Sequence, residues 1–456
     1  MTSNNIIYIV HCVDTEGPLH EDLSATFNRV REICHIDLDP TPENLTKLQN
    51  KKIDLKGKED VVWDFVRPDQ IDYIHDLNDL TSMLNTVMTK KFRNELHDSF
   101  GRDYQFNWFC MDHVNYKTNP RKRITGFHKI FELYQSKINE FKNLSDRIYW
   151  HYHPTNFFFK GHCFGMNYSF TNFHNEILAR RIIDHCWFPV ANRPGAHMER
   201  VDMNLWLEQW IPFDLANQNM EDNILLDKHE SVYRIPGRMG DWRGATTNWE
   251  IYNPSFFDST KKGQLKRFIA RCLNINARQG QITEKEIEKA FKSAKQNPIL
   301  MAYTNHDFRN LIKETKSIAE MIRKVSKKFP DIKYRWSNPV EAFRACMKLN
   351  HSNPIKFNFE INEKFFKVFS DKPVWGVQPF LAIKTKENKY YHDNFIIDSE
   401  TSWTYPLDSH SFSLNNLSYI GFAANDYVGN TTVCVYSNCD KFIKPKVCLY
   451  NHEDWI

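Results

Sequence analysis

A chain of 456 residues is long enough for about two or three domains, with a large buried core in the first. Its 60 basic and 56 acidic residues nearly cancel, which removes any charge-based reason to expect a nucleic-acid partner. The ten cysteines lie scattered with no CxxC pair, Cys434 and Cys439 being the closest, and the first apolar run is only five residues long. Both features predict reduced thiols in a soluble, cytoplasmic protein with no membrane span.

The β-branched run at residues 6–10 predicts a first strand. Gly17-Pro18 must end it, because proline donates no hydrogen bond and restricts the residue before it. His11-Cys12-Val13-Asp14-Thr15-Glu16 lies between, so two acids sit at the carboxyl end of the strand. Residues two apart on a strand face one side, which lets Asp14 and Glu16 point into one cavity. A polar insertion at about residues 19–105 is predicted to be helical, with apolar positions three and four apart between Ile71 and Val87.

A strand over 106–111 then ends in Asp112-His113, and a helix over 126–141 leads to a strand at 147–150. That strand runs into His151-Tyr152-His153-Pro154. A helix at 172–185 precedes a strand at 188–192, which ends in Arg193-Pro194-Gly195. A helix at 203–210 and short strands at 212–216 and 232–235 follow. Thr283 and Glu286 form a capping box ahead of the next helix. A strand at 298–303 ends in Thr304-Asn305-His306-Asp307. A helix over 311–329, a strand at 332–336 and a final helix capped by Asn338-Pro339 complete the alternation. Strand–helix repetition on this scale predicts parallel strands, in an α/β barrel or a doubly wound sheet.

From residue 349 the pattern changes to short strand-like runs with no helical period: 357–361, 365–369, 380–384, 395–397, 419–424 and 433–436. They predict a small all-β, immunoglobulin- or fibronectin-like sandwich over 349–456, closed by a hairpin at 423–431. Its Trp375, Tyr390, Tyr391, Trp403 and Tyr405 suit either a sugar-stacking face or a sandwich core, core being the commoner use.

Four strand ends thus present carboxylates, a histidine pair, an arginine and a lone histidine. A metal that activates water needs three protein ligands and an open position. His151 and His153, on one side of a strand end, make such a set with Glu16. Asp14 is then free to act as general base, oriented and held ionised by Arg193. On sequence alone, Asp14 and Glu16 can exchange these roles. His306 comes from another strand and suits the general acid. Asp112 and His113 are further candidates for metal or substrate. A divalent ion, zinc foremost, is the cofactor this donor set predicts.

These motifs, with Gly240-Asp241-Trp242-Arg243, follow the order of the five motifs of the polysaccharide deacetylase (NodB-homology) carbohydrate esterases. Residues 5–346 resemble that family. The resemblance implies a distorted (β/α) barrel over 1–348 and metal-dependent hydrolysis of N- or O-acetyl groups on sugars. It implies a base and a metal ligand in Asp14 and Glu16, two ligands in His151 and His153, and support of the base by Arg193. Asp241 and Trp242 would line the site, with Asp241 tuning His306, the catalytic histidine. The chain departs from the family in having Thr15 between the acids, Glu16 in place of aspartate, and histidines two rather than four apart. The expected function is removal of an acyl group, acetyl first, from a sugar of a surface polysaccharide or its intracellular precursor. Alternatives are a catalytically altered member that binds glycans or transfers acyl groups, and hydrolysis of a non-sugar C–N bond.

Overall fold

A computed structural model describes residues 5–112, 114, 126–141, 145–153, 168–221, 240–276, 280–438 and 448–449. Parallel strands β1 (Ile6–Thr15), β2 (Asn107–Cys110), β3 (Arg147–Trp150), β4 (Ala191–Asn192), β5 (Phe213–Asn217), β6 (Phe268–Asn274), β7 (Ile299–His306) and β8 (Lys333–Trp336) build the first unit. β1 is its seam. Its first half pairs with β8 and its second half with β2, while β7 runs along the other edge for nearly its whole length. β1 to β7 therefore close into a seven-stranded barrel, and β8 is attached at the amino end of β1.

β6 departs from the sequence reading, which left this segment without a strand. Arg271 interrupts its apolar run, and the chain tolerates that charge by pairing it with Glu286 at 2.6 Å. The short strand expected at 232–235 and Cys439 lie outside the described residues.

The insertion after β1 is helical as expected: α1 (Leu23–Cys34), α2 (Pro42–Gln49), α3 (Glu59–Val66), α4 (Pro68–Ile71), α5 (Leu77–Val87) and α6 (Lys90–Asn94). Asp22, Thr41 and Asp76 cap three of these by accepting first-turn N–H groups. α1 to α3 enclose a small core of their own around Val30, Leu48, Val62 and Phe65. Beside it, a buried Arg29–Glu21 pair at 2.6 Å ties α1 to the chain leaving β1. Around the barrel lie α7 (Lys129–Glu140), α8 (Phe173–His185), α9 (Val201–Trp210), α10 (Glu284–Ser293), α11 (Leu311–Ser326) and α12 (Pro339–Met347). The Thr283 and Asn338 side chains cap α10 and α12 as their sequences predict.

The period-two alternation of the strands sorts the barrel. Outward residues such as Ile7, Ile9, Trp108, Trp150 and Met301 pack under the helices. Inward residues form a separate cluster, with Val10, Cys12, Phe109, Tyr149, Ala191, Leu215 and Ala302 among them. Phe343 of α12 stacks on Phe213 at 4.6 Å and helps close the amino end of this interior. Two residues beyond the inward Cys12, Tyr149 and Ala191 stand Asp14, His151 and Arg193. Four beyond Ala302 stands His306. The polar site is the upward continuation of the apolar barrel interior.

The second unit has strands β9 (Phe357–Ile361), β10 (Phe365–Ser370), β11 (Phe380–Thr385), β12 (Tyr390–Asp393), β13 (Ile396–Ser399), β14 (Ser402–Pro406), β15 (Leu417–Asn425), β16 (Thr431–Ser437) and β17 (Cys448–Leu449). They form two antiparallel sheets, β13-β14-β10-β9 and β12-β11-β15-β16-β17. Lettered A, B, C, C′, D, E, F, G in chain order, β9 to β16 read D-E-B-A and C′-C-F-G, the strand order of an immunoglobulin-type sandwich. Phe366, Leu381, Trp403 and Phe422 fill the space between the sheets.

Of the five aromatics considered for a sugar-stacking face, Trp375, Tyr390, Trp403 and Tyr405 are buried. Their polar atoms are used internally: Trp375 Nε1 donates to the Glu208 carbonyl and Tyr405 donates to Asp393. Tyr391 alone of the five is exposed. The aromatic content of this unit therefore serves mainly its core and its junction with the barrel. At that junction Phe380 meets Phe188 and Trp210, and Asn425 donates to the carbonyls of Pro189 and Trp210. Gly429 has φ +82°, and a Cβ there would lie 2.3 Å from the Phe213 ring, so only glycine fits. Among the described residues no helix is long and apolar enough to cross a membrane.

Candidate functional site

The carboxyl ends of β1, β3, β4 and β7 converge on one buried polar cluster. Glu16, His151 and His153 each offer a ligand atom, and these atoms all lie within 4.8 Å of one another. His151 Nδ1 is 2.8 Å from the Arg193 carbonyl. A carbonyl only accepts, so Nδ1 carries the proton and Nε2 presents its lone pair. The His153 Nε2 faces that atom at 3.0 Å. Two imidazole nitrogens aimed at one point, with a carboxylate beside them, are a donor set that fits a divalent ion.

Asp14 stands next to this set, 1% exposed. Arg193, fully buried, donates from Nε to both Asp14 oxygens at 2.8 and 3.0 Å. His306 brings Nε2 to 3.8 Å from Asp14 and 3.6 Å from Glu16. It is the most open of the group, with 24% of its side chain exposed. Burial nevertheless pushes its pKa down to about 4, against the opposing pull of Asp14 and Glu16.

The turn that carries Glu16 is built for its place. Asp307 accepts from the backbone N–H of Glu16 at 2.8 Å and of Gly17 at 3.0 Å, and from the Tyr134 hydroxyl at 2.9 Å. Gly17 has φ +75°, and a Cβ there would lie 2.4 Å from Ile130. The sequence places Asp307 beside His306 without assigning it a role. Its carboxylate fixes the ligand-bearing turn.

The chain matches no family model, no curated protein and no solved structure. Assignment therefore rests on geometry and on the motifs.

Two expected members stand elsewhere. Asp112 shares the outward register of Trp108 and Cys110 and pairs with the buried Arg181 of α8. Arg181 lies over the Phe131 ring at 4.3 Å, so this pair braces the barrel against its helices. Asp241 is exposed and bound by Arg243 at 2.7 Å. The largest charge effects on His306 come from Asp14, Glu16, Arg309 and Arg193. Trp242 is buried and donates from Nε1 to the His197 carbonyl at 2.7 Å. His113 lies outside the described residues.

His197 is the neighbour that the sequence did not reveal. Its ring contacts Arg193, and both it and Ala196 are in left-handed backbone, at φ +55° and +52°. Two such non-glycine residues in succession cost roughly 1–2 kcal/mol each and persist only where the surroundings enforce them. Alanine carries no sequence signal for that conformation, and histidine only a weak one.

Proposed function

We infer that this chain is a metal-dependent hydrolase of the polysaccharide deacetylase type, removing an N- or O-acyl group, acetyl first, from a sugar. The observation that carries this reading is the convergence of Glu16, His151 and His153 beside the Asp14–Arg193 pair. It favours hydrolysis over a catalytically altered glycan-binding or acyl-transferring member, because the departures in spacing still end in a complete donor set. The sugar, from a surface polysaccharide or its intracellular precursor, is proposed from the order of the motifs, and a cytoplasmic location from the scattered cysteines with no CxxC pair.

A divalent ion held by the three ligands, zinc by donor preference, would polarise the acyl carbonyl and acidify the attacking water. Asp14 takes the water's proton as general base, and Arg193 keeps its carboxylate aimed at the cavity. His306 faces Asp14 across the cavity. Its Nε2 is near enough to Asp14 for one small movement or one water to pass the abstracted proton across. His306 then delivers that proton to the leaving nitrogen or oxygen. An amide nitrogen must be protonated to depart, whereas an activated ester's oxygen need not be.

His306→Ala tests this reading. Turnover of an amide substrate should fall by roughly 10²–10⁴, with metal content unchanged, while an ester with a good leaving group loses far less. Equal falls on both substrates, or no fall on either, would exclude His306 as the proton donor.

A further inference from the structure

Arg193 is held on three sides. Nε faces Asp14, Nη1 donates to the Leu215 carbonyl at 3.3 Å, and Nη2 donates to His197 Nδ1 at 3.2 Å. A guanidinium has no acceptor atom, so His197 must meet it with the lone pair of Nδ1. Nε2 then carries the ring proton and lies 2.8 Å from the Gln218 side-chain amide, whose oxygen is the atom able to accept it. His197 therefore has both ring nitrogens engaged, and it stands outside the set of groups able to share a metal.

The backbone of His197 is held as closely as its ring. The turn from Arg193 passes through Pro194, Gly195 and Ala196 and enters left-handed conformation at Ala196 and His197. Trp242 Nε1 donates to the His197 carbonyl at 2.7 Å, and the Gly240 N–H donates to the Ala196 carbonyl at 3.2 Å. A Cβ at Gly240 would lie 1.7 Å from the His197 oxygen, so that approach requires glycine. The Gly240-Asp241-Trp242 motif thus acts on the site through the His197 turn.

We propose that His197 is a positioning residue: its imidazole locks the Arg193 guanidinium so that Nε stays on Asp14, and Gly240 and Trp242 lock His197 in turn. This rests on the reading of Asp14 as the base. Without the His197 contact, Arg193 keeps its charge but loses the acceptor that sets its rotation, and Asp14 is released from its fixed aim. The ligands Glu16, His151 and His153 are untouched by that change.

The test compares His197→Leu, which fills the space without an acceptor, with His197→Asn, whose amide oxygen can replace Nδ1. Crystal structures are expected to show Arg193 Nε moved off Asp14 in His197→Leu and retained in His197→Asn. Zinc affinity should be that of wild type in both. With an acetylated amino sugar, kcat should fall by roughly 10²-fold in His197→Leu, with KM little changed, and His197→Asn should recover most of the loss. Should His197→Leu fail to fold, Trp242→Phe, which removes the N–H donor and keeps the ring, is expected to lower kcat with zinc affinity unchanged. Arg193 still on Asp14 in His197→Leu, or equal kcat losses in His197→Leu and His197→Asn, would overturn the proposal. So would full kcat in Trp242→Phe. If wild type itself releases no acetate, the reaction assigned above fails, and the Arg193 position in the two crystal structures still decides the role of His197.

Discussion

Asp14→Asn is expected to keep its metal and lose turnover by roughly 10²–10⁴, the usual contribution of a general base. The substitution preserves shape and one oxygen acceptor for Arg193, and it touches none of the three ligands. It removes the one carboxylate that the arginine aims into the cavity. Glu16→Ala should instead lose both metal and activity, because two imidazoles alone leave the coordination incomplete. Both variants must be checked by thermal melting. Breaking a buried ion pair such as Arg193–Asp14 costs about 3–5 kcal/mol when one partner is left charged. A folded Asp14→Asn without metal, beside a Glu16→Ala that retains it, would mean that the two acids have exchanged roles.

The second large effect concerns the sandwich. A chain ending at Leu349 is expected to be insoluble or unfolded rather than a working barrel. Phe188, Trp210 and Phe213 would lose the groups that cover them, and Arg344 would lose its acceptors at Val428 and Asn430. Re-exposing a large side chain costs about 1.5–3 kcal/mol, against a total stability of about 5–15 kcal/mol. Three or four such losses are enough to unfold the barrel. In the full chain, Gly429→Val should lower the melting temperature of both units together, since its side chain would collide with Phe213. A truncated barrel that melts like the full-length chain would mark the sandwich as a separate appended module.

Much of this arrangement is legible in the sequence because the barrel is regular. Once Cys12, Tyr149 and Ala191 are placed inside, parity alone carries Asp14, His151 and Arg193 inside with them. The same parity excludes Asp112, which follows Trp108 and Cys110 outward and finds Arg181 there. Asp112 became a candidate through its place at a strand end, and Asp241 through the family motif. Asp241 has an arginine two residues on, and that local pair takes its carboxylate. β6 escaped notice because Arg271 breaks its apolar run, and the distant Glu286, the Asn219 carbonyl and the Trp249 ring make that charge tolerable. β12 and β14 mix polar and aromatic residues in four- and five-residue segments, too short for alternation to declare itself. The depressed pKa of His306 comes from burial, which no spacing of residues along the chain encodes.

The most direct test of the account is elemental analysis of the purified chain beside His151→Ala and His153→Ala, with acetate release from an acetylated amino sugar measured on the same preparations. The account predicts about one divalent ion per chain in the parent, loss of that ion in both variants, and acetate release only by metal-loaded parent protein. Unchanged metal content in both folded variants, or acetate release that persists after the metal is removed, would contradict it.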